Sequence, residues 1–209
     1  MVVWINSLLP IDEEFRQTLR TEVRMYPEMA IRELTVNMLI HQGFAEQGFP
    51  MVEIYSDRIE ISNLGLPLIS VEHFIDEYQS RNDSLADIMR RMGICEEIGS
   101  GMDTTIFSIE LYQLPTLRFQ VQENRTTVTS FSYRKFAEID EGERIRACYQ
   151  HACLRYASNE KMNNQSLRTR LGIEDRNYPM ASRIIKDTLE AKLIKEESLN
   201  GAWRYNYIP

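Results

Sequence analysis

The ten residues "RELTVNMLIH", 32–41, constrain the fold more than any other stretch of the chain. Glu33, Asn37 and His41 recur every four residues, which at 100° per residue puts them within an arc of about 80° on one helix face. Ile31, Leu34, Val36, Met38, Leu39 and Ile40 take up most of the remaining circumference. A surface helix keeps one broad polar face. This helix is instead expected to be buried nearly all round with a narrow polar stripe, which needs internal partners or a ligand. Both readings stay open on the residues alone: a hydrogen-bonded seam in the core, or a binding site. His41 reads as a structural hydrogen bonder rather than a catalytic group.

A chain of 209 residues, 43% hydrophobic and 26% charged, can bury the core such a helix needs, as one or two globular domains. Cys95, Cys148 and Cys153 are odd in number and form no CxxC pair, which favours a reduced, cytoplasmic setting over a disulfide scaffold. Cys148 and Cys153 read as inert core thiols. The opening "MVVWINSLLPIDEEF" turns acidic too soon for a secretory segment, and no apolar run approaches the roughly 18 residues that span a bilayer. A membrane is therefore not an expected partner.

The net charge of −7 conceals an asymmetry. Residues 1–139 carry 12 basic and 21 acidic side chains, whereas 140–209 carry 12 basic and 10 acidic, and all five lysines lie at or after Lys135. If any part meets nucleic acid, it is the C-terminal third.

The element pattern has two halves. Residues 11–27 read as a short helix or strand pair, followed by a helix over 28–41. "MVEIYSDRIEISN" alternates as a hairpin about Ser56–Asp57, with Val52, Ile54, Ile59 and Ile61 expected on its buried side. "NLGLPL" ends the second strand. A helix around "VEHFIDEY", a loop "QSRND", and a helix "SLADIMRRM" capped by Ser84 and stopped by Gly93 follow. A Gly-Ser-Gly turn then precedes a helix closed by Pro115, and "LRFQVQE" and "TTVTSFSYR" add two strands. This half is α+β, a sandwich in outline. After a linker at 132–141 come the helices "EGERIRACYQHACLRYA", "QSLRTRLGI" and "PMASRIIKDTLEAKL", then strand-like residues about Asn200–Gly201. Three helices and a terminal hairpin outline a winged helix-turn-helix.

Several residues carry nucleotide-site chemistry. A helix carboxylate, Glu33, can act as general base on water, and an amide one turn on, Asn37, can ligate Mg²⁺. Asn63 with Gly65 at a strand end can read an adenine edge, the missing Cβ permitting close approach. Gly99, Ser100 and Gly101 at a helix start offer N–H groups to phosphates. A tight helix-opening turn and a plain strand terminator are the structural alternatives for these last two groups. In the C-terminal half, Ile184, Ile185, Leu189 and Leu193 face the core of the third helix and leave Ser182, Arg183 and Lys186 outward. With Arg168, Arg170, Asn177, Tyr178 and Arg204 they are candidate DNA contacts, a solvated helix face being the alternative.

"YPEMAIRELTVNMLIHQGF", "MVEIYSDRIEISNLGLPL", "SRNDSLADIMRRMGICEEIGSGMD" and "ERIRACYQHACLRY" together resemble the C-terminal part of bacterial proteins of the RecG-related ATP-dependent helicase or transcriptional-regulator family. The resemblance runs from about residue 20 to the last residue, so the family's N-terminal Schlafen/AlbA-like domain is expected to be missing. It implies a GHKL (histidine-kinase-type) ATP-binding sandwich at 1–134 and a winged helix-turn-helix at 138–209. It further implies ATP and Mg²⁺ as ligands, with Glu33 as N-box base, Asn37 as metal ligand, Asn63 and Gly65 in the first glycine box, and Gly99 and Gly101 in the second. Residues from about 66 to 98 become a nucleotide lid. Two departures stand out: Asn63 occupies the usual aspartate position, and Pro67 that of the second glycine. No GxxxxGK[ST] loop or motor-type acidic box is present, so helicase activity is not expected. The expected function is a DNA-binding transcriptional regulator with an ATP-binding, at most weakly hydrolysing domain. The alternative is a non-enzymatic oligomerisation or interaction module with a degenerate nucleotide site, and in either case a homo-oligomer is a possible assembly. "RMYP" and "SRND" acquire no role from sequence.

Overall fold

The computed structural model describes residues 2–9, 11–12, 23–71, 74–75, 78–95, 101–197 and 206–209. It divides into two compact units, one of residues 1–112 and 117–133, the other of 113–116 and 134–209.

The first unit is mixed α+β. Helix α1 (Val2–Leu8) and the antiparallel pair β1 (Ile11–Asp12) and β2 (Val23–Arg24) lead into α2 (Glu28–Ile40). Strands β3 (Met51–Ile54) and β4 (Arg58–Leu64), helices α3 (Asp83–Arg91) and α4 (Gly101–Leu111), and strands β5 (Arg118–Gln122) and β6 (Arg125–Phe131) follow. The sheet is antiparallel throughout, in the order β3-β4-β6-β5. Helix α2 packs on α4, on β4 and on α1. Of its thirteen residues eight are buried, Glu33 among them, so the helix is enclosed as its pattern requires. Val36 and Ile40 meet Ala86 of α3, with Met89 and Cys95 at the margin of that cluster.

The hairpin has the expected register, Val52 facing Ile61 and Ile54 facing Ile59. Its burial is uneven. Ile59 and Ile61 are buried, whereas Val52 is half-buried and Ile54 exposed, because β3 is the edge strand while β4 lies inside the sheet. Two further expectations are corrected. The described residues of "VEHFIDEY" (71, 74, 75 and 78) form no α-helix. Helix α3 starts one residue before Ser84, and its N-cap is Asn82, whose amide is spent on the carbonyls of Ile40 (2.7 Å) and Gln42 (2.9 Å). Gly93 follows the end of α3 as expected, its N–H donating to Arg90 O.

The second unit has three helices, α5 (Glu141–Ala157), α6 (Asn164–Leu171) and α7 (Tyr178–Glu190), and an antiparallel pair, β7 (Lys195–Glu197) and β8 (Asn206–Ile208). Asp140 caps α5 reciprocally: its carboxylate accepts from Glu143 N–H at 2.8 Å, and that of Glu143 accepts from Asp140 N–H at 3.4 Å. Asn163 and Ser166 do the same for α6. Pro179 sits in the first turn of α7, where its missing N–H costs nothing. Cys148, Leu167, Ile184, Ile185 and Ile194 belong to one apolar core. Burial pushes the Cys148 thiol up to about 12, so it is an inert core group. The expected turn at Asn200–Gly201 lies outside the described residues. Among the described residues no helix is long and apolar enough to cross a membrane.

Candidate functional site

One cavity of the first unit gathers the polar stripe of α2 and the end of β4. Glu33, Asn37 and His41 line it together with Asn63, Gly65 and Gly101, and Leu66, Pro67, Phe74 and Tyr78 supply apolar wall. Residues some 70 positions apart in sequence are thus brought to one site. Gly99 and Ser100 lie outside the described residues.

Each polar group is held for an identifiable reason. The Glu33 carboxylate is only 2% exposed and is engaged by the Arg32 guanidinium, Nε at 3.0 Å and Nη2 at 2.9 Å from Oε1. Its other oxygen packs against the first residue of α4: a Cβ built on Gly101 would lie 2.9 Å from Oε2. A side chain there would therefore make the Glu33 carboxylate shift, and that carboxylate sits at the positive end of an eleven-residue helix. Asn37, one turn on from Glu33, is half-buried and faces the same cavity.

Asn63, next to last in β4, is almost fully buried. Its Nδ2 donates to the carbonyls of His41 (3.0 Å) and Leu64 (3.1 Å). Turning the amide over would set its oxygen against those two carbonyls, so the orientation is fixed with the donor side inward and Oδ1 as the remaining acceptor. An acceptor oxygen is the property an aspartate would have offered, without the charge. Beside it Gly65 adopts φ +106°, and a Cβ there would come within 3.0 Å of the Arg81 guanidinium. Thr126, which pairs with Asn63 across β4 and β6, donates its hydroxyl to Gly65 O at 2.9 Å and also lines the cavity.

"SRND" has a structural role. Arg81 donates from Nε to His41 O (3.2 Å) and from Nη2 to Leu66 O (2.5 Å), and Asn82 satisfies the carbonyls of Ile40 and Gln42. Gln42 in turn accepts from Leu64 N–H at 2.9 Å. The last carbonyls of α2, which no helical N–H can reach, are thereby tied to the glycine turn and to the start of α3. Partial burial of His41, and then the nearby Arg81 charge, lower its pKa and favour the neutral imidazole. The ring is thus poorly suited to binding an anion. In "RMYP", Tyr26 is fully buried and Pro27 immediately precedes α2.

Sequence reasoning missed Arg32, Arg81, Asn82 and Thr126. Arg32 adjoins Glu33, and successive helix positions do not normally face each other. Arg81 and Asn82 act across 40 or more residues, and no local period marks such a contact.

In the second unit Arg183 and Lys186 are exposed on α7, and Asn177 and Tyr178 are exposed at its start. Ser182 accepts from Asn164 at 2.9 Å. Two expected DNA contacts need correction. Arg170 is buried, its Nη2 donating to Leu114 O at 2.8 Å, so it is an internal cross-link. Arg168 is 15% exposed and held by Asn164 and by the fully exposed Asp175, so its charge is already paired at the surface. Arg204 lies outside the described residues.

The first unit is thus an antiparallel four-stranded sheet with a buried carboxylate-amide helix over a glycine-lined cavity, an arrangement consistent with an ATPase-type α/β domain. Residues 48–130 match the family model described as "Putative ATP-dependent DNA helicase recG C-terminal". No curated protein matches the chain. Among solved structures it is similar to the DIP2311 protein from Corynebacterium diphtheriae, at TM-score 0.60 and 16% identity, over 89% of this chain and 40% of that one. At that identity the likeness concerns the fold alone, and this chain spans less than half the length of its neighbour.

Proposed function

We propose that the chain is a DNA-binding regulator whose first unit, a GHKL-type domain at 1–134, binds ATP with Mg²⁺, and whose second, a winged helix at 138–209, contacts DNA. The observation that carries the nucleotide half is the convergence of Glu33, Asn37, Asn63, Gly65 and Gly101 on one cavity. The donor set fits the ligand. Asn63 Oδ1 accepts from the adenine amino group, and the bare backbone at Gly65 lets the base approach. Asn37 would hold Mg²⁺, and the metal, when bound, would neutralise phosphate charge. The start of α4 at Gly101 would take the phosphates, and Gly99 and Ser100, which precede it in sequence, are proposed as further contacts. Glu33 orients water and accepts its proton if turnover occurs.

For the DNA half, Arg183 and Lys186 on α7 are the main candidates, with Asn177, Tyr178 and Ser182 at its start and Arg204 toward the C-terminus. Occupancy of the first unit would bias the chain between arrangements of different DNA affinity. The chain holds no phosphate loop of motor type, so the proposed role is regulatory rather than translocating.

Fluorescent ATP should bind the wild type with Mg²⁺ present, and absence of binding at millimolar nucleotide would remove that half. A gel shift that weakens steeply with salt supports the DNA half, and a salt slope near zero opposes it. Pro67 in the cavity wall favours a second reading, an interaction or oligomerisation module that binds nucleotide poorly and does not hydrolyse it.

A further inference from the structure

We infer that Arg90 of α3 is a polyphosphate-binding residue of the cavity, its guanidinium taking the phosphate chain of the nucleotide. The inference rests on the nucleotide reading above and adds the side chain that compensates the ligand's charge. Three observations carry it. The first is charge. A nucleoside triphosphate brings several negative charges, and a carboxylate such as Glu33 repels them. Among the described residues that line the cavity Arg90 is the one permanent cation, since His41 favours its neutral form.

The second is place. Asn82, at the start of α3, is bonded to the carbonyls of Ile40 and Gln42, and Ala86 packs with Val36 and Ile40. Helix α3 therefore leaves the end of α2 and runs back toward its start. Arg90 follows Ala86 by four residues, on the same helix face and roughly 6 Å further along, and both line the cavity. That step carries it toward the level of Asn37 and Glu33. The base end lies the other way, where Asn63 is bonded to His41 O, whereas Gly101 at the start of α4 adjoins Glu33.

The third is that the guanidinium is largely unspent. Among the described residues its partner is Asp87, three positions back, with Nη2 to Oδ1 at 3.5 Å, the limit of a hydrogen bond. Asp87 is 45% exposed, and its other oxygen is already held by Arg91 at 2.8 Å. An exposed pair of this kind contributes little, and Arg91 still compensates Asp87 when Arg90 turns to a ligand. The planar fork of N–H donors matches phosphate oxygens two at a time.

The test uses the full chain and the variants Arg90→Ala, Arg90→Lys and Arg91→Ala. Arg91 is 79% exposed and does not line the cavity, so it controls for general charge. Binding of ATP with Mg²⁺ and of adenosine is measured by calorimetry, and the Arg90 Nε–H signal is followed by NMR. Arg90→Ala should bind ATP about ten- to a hundredfold more weakly and adenosine within about twofold of the wild type. Arg90→Lys should fall between, and Arg91→Ala should match the wild type. The Arg90 Nε–H signal should move on adding ATP and stay in place on adding adenosine. Wild-type ATP affinity in Arg90→Ala or, where that variant does not fold, in Arg90→Lys overturns the inference. So does equal weakening of ATP and adenosine, an equal loss in Arg91→Ala, or an Nε–H signal that ATP leaves in place. A wild type that binds ATP no more tightly than adenosine overturns the phosphate role and leaves the base end standing. A wild type that binds neither overturns the nucleotide reading as well.

Discussion

Gly65 and His41 show how single residues at the cavity are set by geometry. Gly65 has φ +106°, outside the range side chains adopt readily, and the Arg81 guanidinium fills the space a Cβ would take. Gly65→Ala should cost about 1–3 kcal/mol, read as a lower urea midpoint with an unchanged slope. His41 has its pKa lowered from 6.5, chiefly by burial and then by Arg81. A group that binds its proton less readily when folded contributes fully above its unfolded value and progressively less as pH falls through the folded one. Stability should therefore decline on acidification below 6.5, and less so in His41→Gln, compared as the difference in melting temperature between the two proteins. Equal declines would show that the ring is not the group responsible.

At the scale of elements, the end of α2 is the junction of the first unit. Asn82→Ala leaves the carbonyls of Ile40 and Gln42 without that donor and should destabilise by about 1–2 kcal/mol, with faster hydrogen exchange in the last turn of α2. In the second unit the two kinds of arginine separate cleanly. Arg170→Met should destabilise by roughly 2–3 kcal/mol, because Leu114 O is buried and loses its donor. Arg183→Ala should leave stability unchanged, weaken DNA binding and reduce the salt slope by about 1. The helices were legible because their signals are local: the stripe of α2 and Pro179 at the start of α7. The cap of α3 was not. Ser84 has the right residue type, but Asn82 takes the position because its amide serves another helix, a demand no local window contains.

Across the whole molecule, chemistry was more legible than burial. A buried carboxylate, two amides and glycines at element ends marked residues that need either internal partners or a ligand, because each residue type is costly without a reason to be there. What charge counting could not resolve was which arginines are spent inside. Arg170 looks as basic as Arg183 in sequence, and only packing distinguishes them. Edge position was equally invisible: Ile54 alternates like Ile61 yet stands in the outer strand. The central claim is that the stripe of α2 is a nucleotide site with a metal ligand and a separable base. It is tested most directly by calorimetric titration of ATP into the Mg²⁺-loaded protein, beside Asn37→Ala and Glu33→Ala. The account predicts binding in the wild type, loss in Asn37→Ala and retention in Glu33→Ala. No heat of binding in a folded wild type would contradict it and leave the stripe as a polar seam of the core.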